Sequence, residues 1–412
     1  MNLLLKLGWR NVWRNRRRSI LTILAITFAT FFTVVMRGLG IGVWEYNVQN
    51  TVELFSGYLQ IQRTGYQNNP SLNKNFPFPG DVEAAVRTDR DIKGYAPRIL
   101  ADGLISYRAN SSGAAIFGID PDAERRIFRF QQRLNSGKFF EAGSREEVVL
   151  GYKLLENLKA QIGDTLVILA QGQDGVMGNL RFRISGTMKL GSPEFDAMAA
   201  FMDLRAAQEL LAMEGRVNVL AISVVDLQAV EGAVQRLADA LQRAKMDRLT
   251  VLPWEEVLPE LKQAMEFDKI GDWIFLWTLI IIVTFGILNT VLMSVTERFR
   301  EFGVSLAIGM QPKKLVALVF IETAFLALIG IVLGSIVGQL MNVYLETHPI
   351  TFSGEFAKIY EEYGFLPQIV TASRITIVLT VASFMLLVSF FSCLYPAYKV
   401  SKLEPLKGIR YT

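Results

Sequence analysis

The chain has 412 residues, of which 51% are hydrophobic and 20% charged, with a net charge of +4 and a single cysteine, Cys393. A mean hydropathy of +0.29 is too apolar for an ordinary soluble domain, and the apolar runs are too few for a carrier built of a dozen helices. The basic residues cluster beside those runs without the aromatic or zinc-ligand patterns of nucleic-acid binders, and one cysteine excludes an intramolecular disulfide.

Residues 1–18 carry Leu3, Leu4, Leu7, Trp9 and Trp13 among Lys6, Arg10, Arg14, Arg16, Arg17 and Arg18. This is the pattern of an amphipathic helix in the cytosolic interface with tryptophans at headgroup depth, or of a stop-transfer flank, and either one holds the N-terminus inside. The apolar run 20–36 continues through Arg37 into residues 38–44 and lacks an A-x-A cleavage pattern. It reads as an uncleaved signal anchor over 19–43, with Arg37 snorkelling to the outer interface. The helical pattern extends through 46–54, with Val48, Val52 and Phe55 on an apolar stripe.

Residues 44–271 read as an α+β domain. Residues 58–62 alternate like a half-buried strand, Asp81 is placed to cap a helix through Ala84, Ala85 and Val86, and strand-like 98–107 follows. Toward the far end, 217–225 is a strand, 227–245 an amphipathic helix with Val230, Val234, Leu237 and Leu241 on one face, and 249–252 a returning strand. Two β-α-β halves, about 55–108 and 216–253, predict a ferredoxin-like platform. Between them an insertion, about 109–215, is mostly strand and turn, with strands at 114–119, 147–150, 165–170, 181–187 and 200–202. From Pro259 to Arg300 no proline interrupts the chain, so a single helix there would reach roughly 60 Å, twice the roughly 30 Å hydrocarbon layer. Its first part, about 259–271, is expected to be a stalk continuous with a membrane span at 272–296.

The segment 297–314 differs from the apolar runs around it. Glu297 and Glu301 can pair with Arg298 and Arg300 along one helical stretch. Phe302, Leu306 and Ile308 form an apolar docking surface, Gly309 suits a C-cap, and Pro312 suits the first turn of the next helix. That helix, 315–344, carries Gly330, Gly334 and Gly338, two overlapping G-x-x-x-G steps that allow close helix packing. Glu322, an ionisable group at membrane depth, is expected to bond a neighbouring helix or the preceding loop. A loop at 345–374 holds the lone His348, and a fourth span is expected at 375–398.

Lys and Arg number six in the N-terminal segment, four in 296–314 and four in the tail from Lys399, against only Lys358 and Arg374 in 345–374. The positive-inside rule therefore places both termini and the 297–314 segment in the cytosol and the large domain outside. No G-x-x-x-x-G-K-[S/T], C-x-x-C, H-E-x-x-H or G-x-S-x-G occurs, so the chain is expected to bind no nucleotide, metal or other cofactor itself and to be no enzyme.

The run Glu297, Arg298, Arg300, Glu301, Gly303, Ala307, Gly309 resembles the E-R-x-R-E-x-G-x-x-x-A-x-G signature of the FtsX/MacB superfamily of ABC-transporter permeases. The resemblance implies a type VII (MacB-type) membrane α-helical permease with four transmembrane helices and a large α+β extracytoplasmic domain, in a bacterial inner membrane. It also implies that 297–314 is a coupling helix, with Phe302 and Leu306 beside the signature residues, docking on a separate ATPase. Two copies of that subunit would supply ATP and Mg, and a second permease chain, identical or paralogous, would complete the dimer. The tail, from Tyr395-Pro396-Ala397 through Leu403-Glu404-Pro405, is similar to the family's P-A-x-x-A-x-x-x-x-P ending, with Ser401 where a small residue is usual.

Phe117-Gly118-Ile119-Asp120-Pro121, Ile162-Gly163-Asp164 and Ser185-Gly186-Thr187 resemble the outer domain of lipoprotein-releasing (Lol) permeases. That implies extraction of lipoproteins from the outer leaflet by mechanotransmission and hand-over to a periplasmic carrier. The implied carrier-binding hairpin is 171–180, with Gln171, Asp174, Val176, Met177, Gly178 and Leu180. Apolar residues Phe31, Phe32, Val35, Trp44, Phe275, Leu276 and Leu279 are the expected lining of a lipid-accepting cavity. The alternatives are a MacB-like efflux permease working with a periplasmic adaptor, a mechanotransmitter that regulates an envelope hydrolase, and a membrane receptor or anchor without an ATPase.

Overall fold

The computed structural model describes residues 2–190, 193–355 and 368–402. The chain divides into two compact units. A helical unit takes residues 1–45 and most of the chain from 265 onward, and a sheet unit takes 46–264.

Helix α1 (Asn2–Arg14) and helix α2 (Arg16–Thr51) are separated only at Asn15. Ser19 Oγ donates to the Val12 carbonyl across the break. α1 is amphipathic: Gly8 and Val12 are buried, while Leu5, Trp9 and Trp13 are exposed. Its inner face needs Gly8, where an added Cβ would stand 2.6 Å from Ile321 Cγ2. The Trp9 ring packs edge-on against Trp13 and against Phe325, 5.8 and 5.4 Å away. α2 ends in a π turn over Val52–Ser56, with Val48 and Val52 buried; the Phe55 side chain lies outside the described residues.

The sheet unit begins with β1 (Leu59–Arg63), β2 (Phe76–Pro77), α3 (Asp81–Arg87), β3 (Ile92–Tyr107), β4 (Asn110–Ile119) and α4 (Pro121–Ile127). It continues with β5 (Leu134–Gly137), β6 (Glu147–Gly151), α5 (Tyr152–Leu158), β7 (Thr165–Gln171) and β8 (Met177–Met188). Last come α6 (Pro193–Asp196), β9 (Ala199–Asp203), α7 (Leu204–Leu210), β10 (Arg216–Val217), β11 (Val219–Val224), α8 (Ala229–Arg243) and β12 (Leu249–Pro253). The strand order β12-β1-β11-β3, antiparallel throughout, with α3 and α8 as the connecting helices, is a split β-α-β arrangement. Asp81 does not cap α3. It is the first helical residue, Gly80 holds the cap position, and no side chain bonds there, so Asp81 acts only through its charge near the helix N-terminus.

The boundary expected near residue 108 is not a break between sheets. β3 pairs with β11 through Arg98 and then with β4 from Arg98 to Tyr107, as one continuous strand. Beyond it the ladders β3-β4, β4-β9, β9-β6, β6-β8, β8-β7 and β7-β3 close on themselves. Closure leaves those strands no free edge. Phe117 and Phe201 stack at 5.0 Å in the core of this insertion. Where platform and insertion share β3, Arg98 and Glu124 form a fully buried pair at 2.6 and 2.8 Å, with Arg98 over the Phe128 ring. Burial raises the Glu124 carboxyl above its ordinary range against the pull of Arg98.

After α9 (Trp254–Val257), α10 runs from Pro259 to Glu297. It is followed by α11 (Phe299–Ala307), α12 (Pro312–Thr347), a ribbon of β13 (Ile350–Thr351) with β14 (Gln368–Ile369), and α13 (Ile375–Ser401). Among the described residues, α2, α10, α12 and α13 are long and apolar enough to cross a membrane. The helix expected to run unbroken to Arg300 stops at Glu297, because Arg298 (φ −104°, ψ 10°) leaves the helical region. Ile26, Val34, Ile287, Val291, Phe302, Val319, Ile331 and Met385 belong to the core of this unit. α10 joins it only through its C-terminal half, and Trp273, Ile274, Trp277, Ile281 and Phe285 are uncovered. The tail beyond Lys402, with its Leu403-Glu404-Pro405, lies outside the described residues.

Candidate functional site

α11 is set by its ends. Arg298 precedes it, and at its close the Gly309 N–H donates to the Leu306 carbonyl and the Met310 N–H to that of Ser305. Those two bonds need Gly309 at φ +100°, the left-handed position that glycine supplies without strain. Gln311 then holds the cap position of α12 without a side-chain bond, and Pro312 stands in its first turn.

The helical period decides which face of α11 is free. Phe299, Phe302 and Gly303 are buried and Leu306 packs on the same core. Arg300, Val304, Ala307 and Ile308 face out, with Ile308 83% exposed. Phe302, expected in the docking surface, is only 2% exposed and is withdrawn into the unit, because it falls one turn from Phe299 on the inner side.

The charged residues are also partnered differently from expectation. Only Arg298 and Glu301 pair within the stretch, at 3.2 Å. Glu297 is bound by Arg18 at 2.6 Å and Glu301 by Arg14 at 2.7 Å. Glu297 thus points sideways at α2, and Glu301 is shared between Arg14 on α1 and Arg298 of its own stretch. Arg298 reaches Glu322 on α12 with Nη1 at 2.9 Å from both oxygens, and lies 5.1 Å above the Phe302 ring. Asn11 donates to the same Glu322 at 2.5 Å. Partial desolvation raises the Glu301 carboxyl, but hydrogen bonds from Arg14 and Arg298 outweigh it and hold the group below the usual carboxylate range. Asn11, Arg14 and Arg18 were not singled out as site residues by sequence reasoning. Their spacing of three and four is a helical-face signal, yet nothing in the sequence tells which acids they meet nearly 300 positions away.

The glycine stripe of α12 is pressed on α2. A Cβ at Gly330 would stand 2.7 Å from Ile26 Cβ, one at Gly334 2.5 Å from the Thr27 carbonyl oxygen, and one at Gly338 2.9 Å from Val34 Cβ. Asn342 continues the seam by donating to the Val34 carbonyl at 3.1 Å.

A second feature of the helical unit is an open cleft of about 150 Å³ between α2, α10 and α13. Phe275, Leu276 and Leu279 line it with Trp273, and Thr33 and Arg37 stand on the α2 side. The Phe32 ring packs on Phe275 at 5.9 Å. The other expected lining residues are placed elsewhere. Val35 is 7% exposed within the helix packing, and Phe31 and Trp44 are half-buried without reaching the cleft. On α2 the face turned to the cleft carries Thr33, Met36 and Arg37, and Phe31 and Val35, each two positions from Thr33, fall on the other side at 3.6 residues per turn.

In the sheet unit, the hairpin at 171–180 is mostly ladder: Gln171 pairs with Met177, Ala170 with Gly178 and Ile168 with Leu180. Its tip is only 172–176. Asp174 Oδ1 accepts from the Val176 N–H, and the Gln173 N–H donates to the Leu211 carbonyl at the end of α7. Val176 and Met177 are exposed, whereas Gly178 lies against the Leu210 carbonyl, where no Cβ would fit.

Comparison with known proteins agrees with this architecture. A family model described as the MacB-like periplasmic core domain matches residues 19–237, and one described as the FtsX-like permease C-terminal region matches 273–405. The chain belongs to this family of MacB/FtsX-type ABC transporter permeases. It is 24% identical over 330 residues to the lipoprotein-releasing system transmembrane protein LolC of Neisseria meningitidis, covering 78% of this chain and 79% of that one. It is 21% identical over 414 residues to an uncharacterised ABC transporter permease of Methanocaldococcus jannaschii, covering 98% and 96%. It is also 24% identical to the macrolide export ATP-binding/permease protein MacB of Acinetobacter baylyi, covering 88% of this chain but 54% of that longer one.

Proposed function

We propose that this chain is the permease subunit of a transporter that lifts lipoproteins out of the outer leaflet of the inner membrane and passes them to a periplasmic carrier, driven by a separate ATPase. The observation that carries the choice of cargo is the apolar cleft lined by Phe275, Leu276 and Leu279, with Arg37 beside it. Its chemistry suits an acyl chain with a polar end, and the uncovered apolar face of α10 beside it suits lipid or a second permease chain. Similarity to proteins named as lipoprotein-releasing supports the same cargo.

In this reading α2, α10, α12 and α13 are the four spans and both termini are cytosolic, as the Lys and Arg distribution favours. α11 docks by Arg300, Val304 and Ile308 on the ATPase, which binds ATP and Mg; two ATPase copies serve two permease chains, so this chain itself is not an enzyme. α2 and α10, the two long helices whose sequences lead into the outer domain, carry the movement outward.

The test is to extract the full chain from membranes and identify what accompanies it by mass spectrometry. An ATPase together with triacylated lipoproteins or a soluble lipoprotein carrier supports the reading. An ATPase with a periplasmic adaptor transfers it to efflux, a reading that the short five-residue tip between β7 and β8 favours. Absence of any ATPase overturns the coupling role of α11.

A further inference from the structure

The break at Arg298 leaves the orientation of α11 undetermined by α10, since the two helices are not one rod. The buried face of Phe299 and Phe302 seats α11 on the core, and the charged side chains that bridge the break from outside come from the N-terminus. Arg14 Nη2 donates to both oxygens of Glu301, at 2.7 and 2.8 Å. Arg18 donates to Glu297 at 2.6 Å and to the Thr290 carbonyl at 2.9 Å. Asn11 reaches Glu322, which also holds Arg298. Positions 11, 14 and 18 thus meet α12, α11 and the end of α10 respectively, and the acids they meet stand on both sides of the break.

These bonds are not what attaches α1 to the unit. Attachment is supplied by the Gly8 approach to Ile321 and by buried Val12, whereas the Arg14 and Glu301 side chains are 53% and 50% exposed. Half-exposed pairs add little to stability but discriminate strongly between registers. They border a small cleft of about 60 Å³ that Asn11, Arg298 and Glu322 also line.

We propose that the N-terminal helix α1 is a working part of the coupling element, latched to α11 by the Arg14–Glu301 pair while Arg18–Glu297 ties the start of α2 to the end of α10 beside the break, so that movement imposed on α11 reaches α2 through α1 as well as α10 through the chain. The inference rests on the reading of α11 as the helix that docks on the ATPase. Arg14, Arg18 and Asn11 are positioning residues in it.

The experiment uses the full chain with its co-purifying ATPase in proteoliposomes, with a triacylated lipoprotein as the cargo probe. Spin labels on Lys6→Cys and Ser305→Cys read the α1–α11 distance; Cys393 is buried and stays unlabelled. The unaltered pairs give one narrow distance. In Arg14→Glu/Arg18→Glu the distribution broadens and ATP-driven release falls at least tenfold, while ATPase binding and hydrolysis stay within about threefold. Arg14→Lys/Arg18→Lys, which keeps the charges, restores most of the release. Unchanged release or an unbroadened distance in the Glu variant overturns the latch. So does loss of release in step with ATPase binding, which would make the pairs mere supports for docking. A chain with α1 unaltered that recruits no ATPase fails earlier, overturning the coupling reading and this role with it.

Discussion

Arg298 and Glu322, 24 positions apart, meet with one guanidinium nitrogen 2.9 Å from each carboxylate oxygen. Both side chains are nearly buried, at 14% and 13% exposure, in the corner where α10, α11 and α12 join. Glu322→Gln keeps the shape and one good acceptor, so transport is expected to persist with a loss of about 1–2 kcal/mol in stability. Glu322→Leu leaves Arg298 with only its weaker bond to Glu301 and is expected to cost about 3 kcal/mol. Thermal unfolding in detergent beside a transport assay checks both. Near-total loss of transport in the Gln variant at a normal membrane level would mean that the carboxylate takes part in transport rather than holding the corner.

The two faces of α11 should separate recruitment from folding. Ile308→Asp places a charge on the outward face and is expected to lower ATPase co-purification at least tenfold while the membrane level stays normal. Phe302→Ala empties a buried site and is expected to cost about 3–5 kcal/mol, lowering the level of folded chain. If Ile308→Asp retains the ATPase and Phe302→Ala loses it without destabilisation, the docking face has been assigned to the wrong side.

This division also marks how far the sequence could be read. The close of α11 and the start of α12 were legible because capping is local: Gly309 and Pro312 act on their own turns, whereas the break at Arg298 carries no glycine or proline to mark it. The apolar stripe was legible, but not which residues of it faced inward, since Phe302 and Ile308 look alike until the core is built around Phe299 and Val319. Arg14 and Arg18 were visible as a basic cluster, whereas their acid partners depend on tertiary placement that no spacing encodes. In the sheet unit the strands followed from alternation, and the closing of β7 onto β3 did not, because a ladder between distant strands leaves no local mark.

The cleft makes a prediction about cargo. Leu279→Asp puts a carboxylate into the apolar wall beside Leu276 and Phe275 and is expected to reduce lipoprotein release at least tenfold with ATPase binding intact. Val35→Asp acts differently, because Val35 is packed inside the unit, and should reduce the amount of folded chain. Measuring release and membrane level together distinguishes the two. Full release from the Leu279 variant would remove the cleft from the cargo path.

At the α2–α12 seam, Gly334 has no room for a side chain, since even a Cβ would stand 2.5 Å from the Thr27 carbonyl oxygen. Gly334→Val must push the helices apart and is expected to lose several kcal/mol, and Gly334→Ala about 1–3 kcal/mol. Gly286 on α10 has open space around its Cβ position, so Gly286→Ala serves as the control with little change. Thermal unfolding of the three variants decides the matter, and equal midpoints for Gly334→Val and Gly286→Ala would contradict the close approach.

Glu301 adds a pH dependence whose sign follows from its partners. Its carboxyl is held below the ordinary range by the hydrogen bonds from Arg14 and Arg298, so the folded chain favours the ionised form more than the unfolded chain does. The contribution is fully present above the usual carboxylate pKa and is lost as pH falls through the depressed value. The spin-label distance between positions 6 and 305 should therefore stay narrow at neutral pH and broaden only on acidification below the ordinary glutamate range, and high salt should broaden it in the same direction because the pair is half exposed. Glu301→Gln should show the broad distribution already at neutral pH and lose this part of the acid transition. A Gln variant that remains narrow and titrates like the parent would place the acid sensitivity on another group and the register of α11 on its apolar face alone.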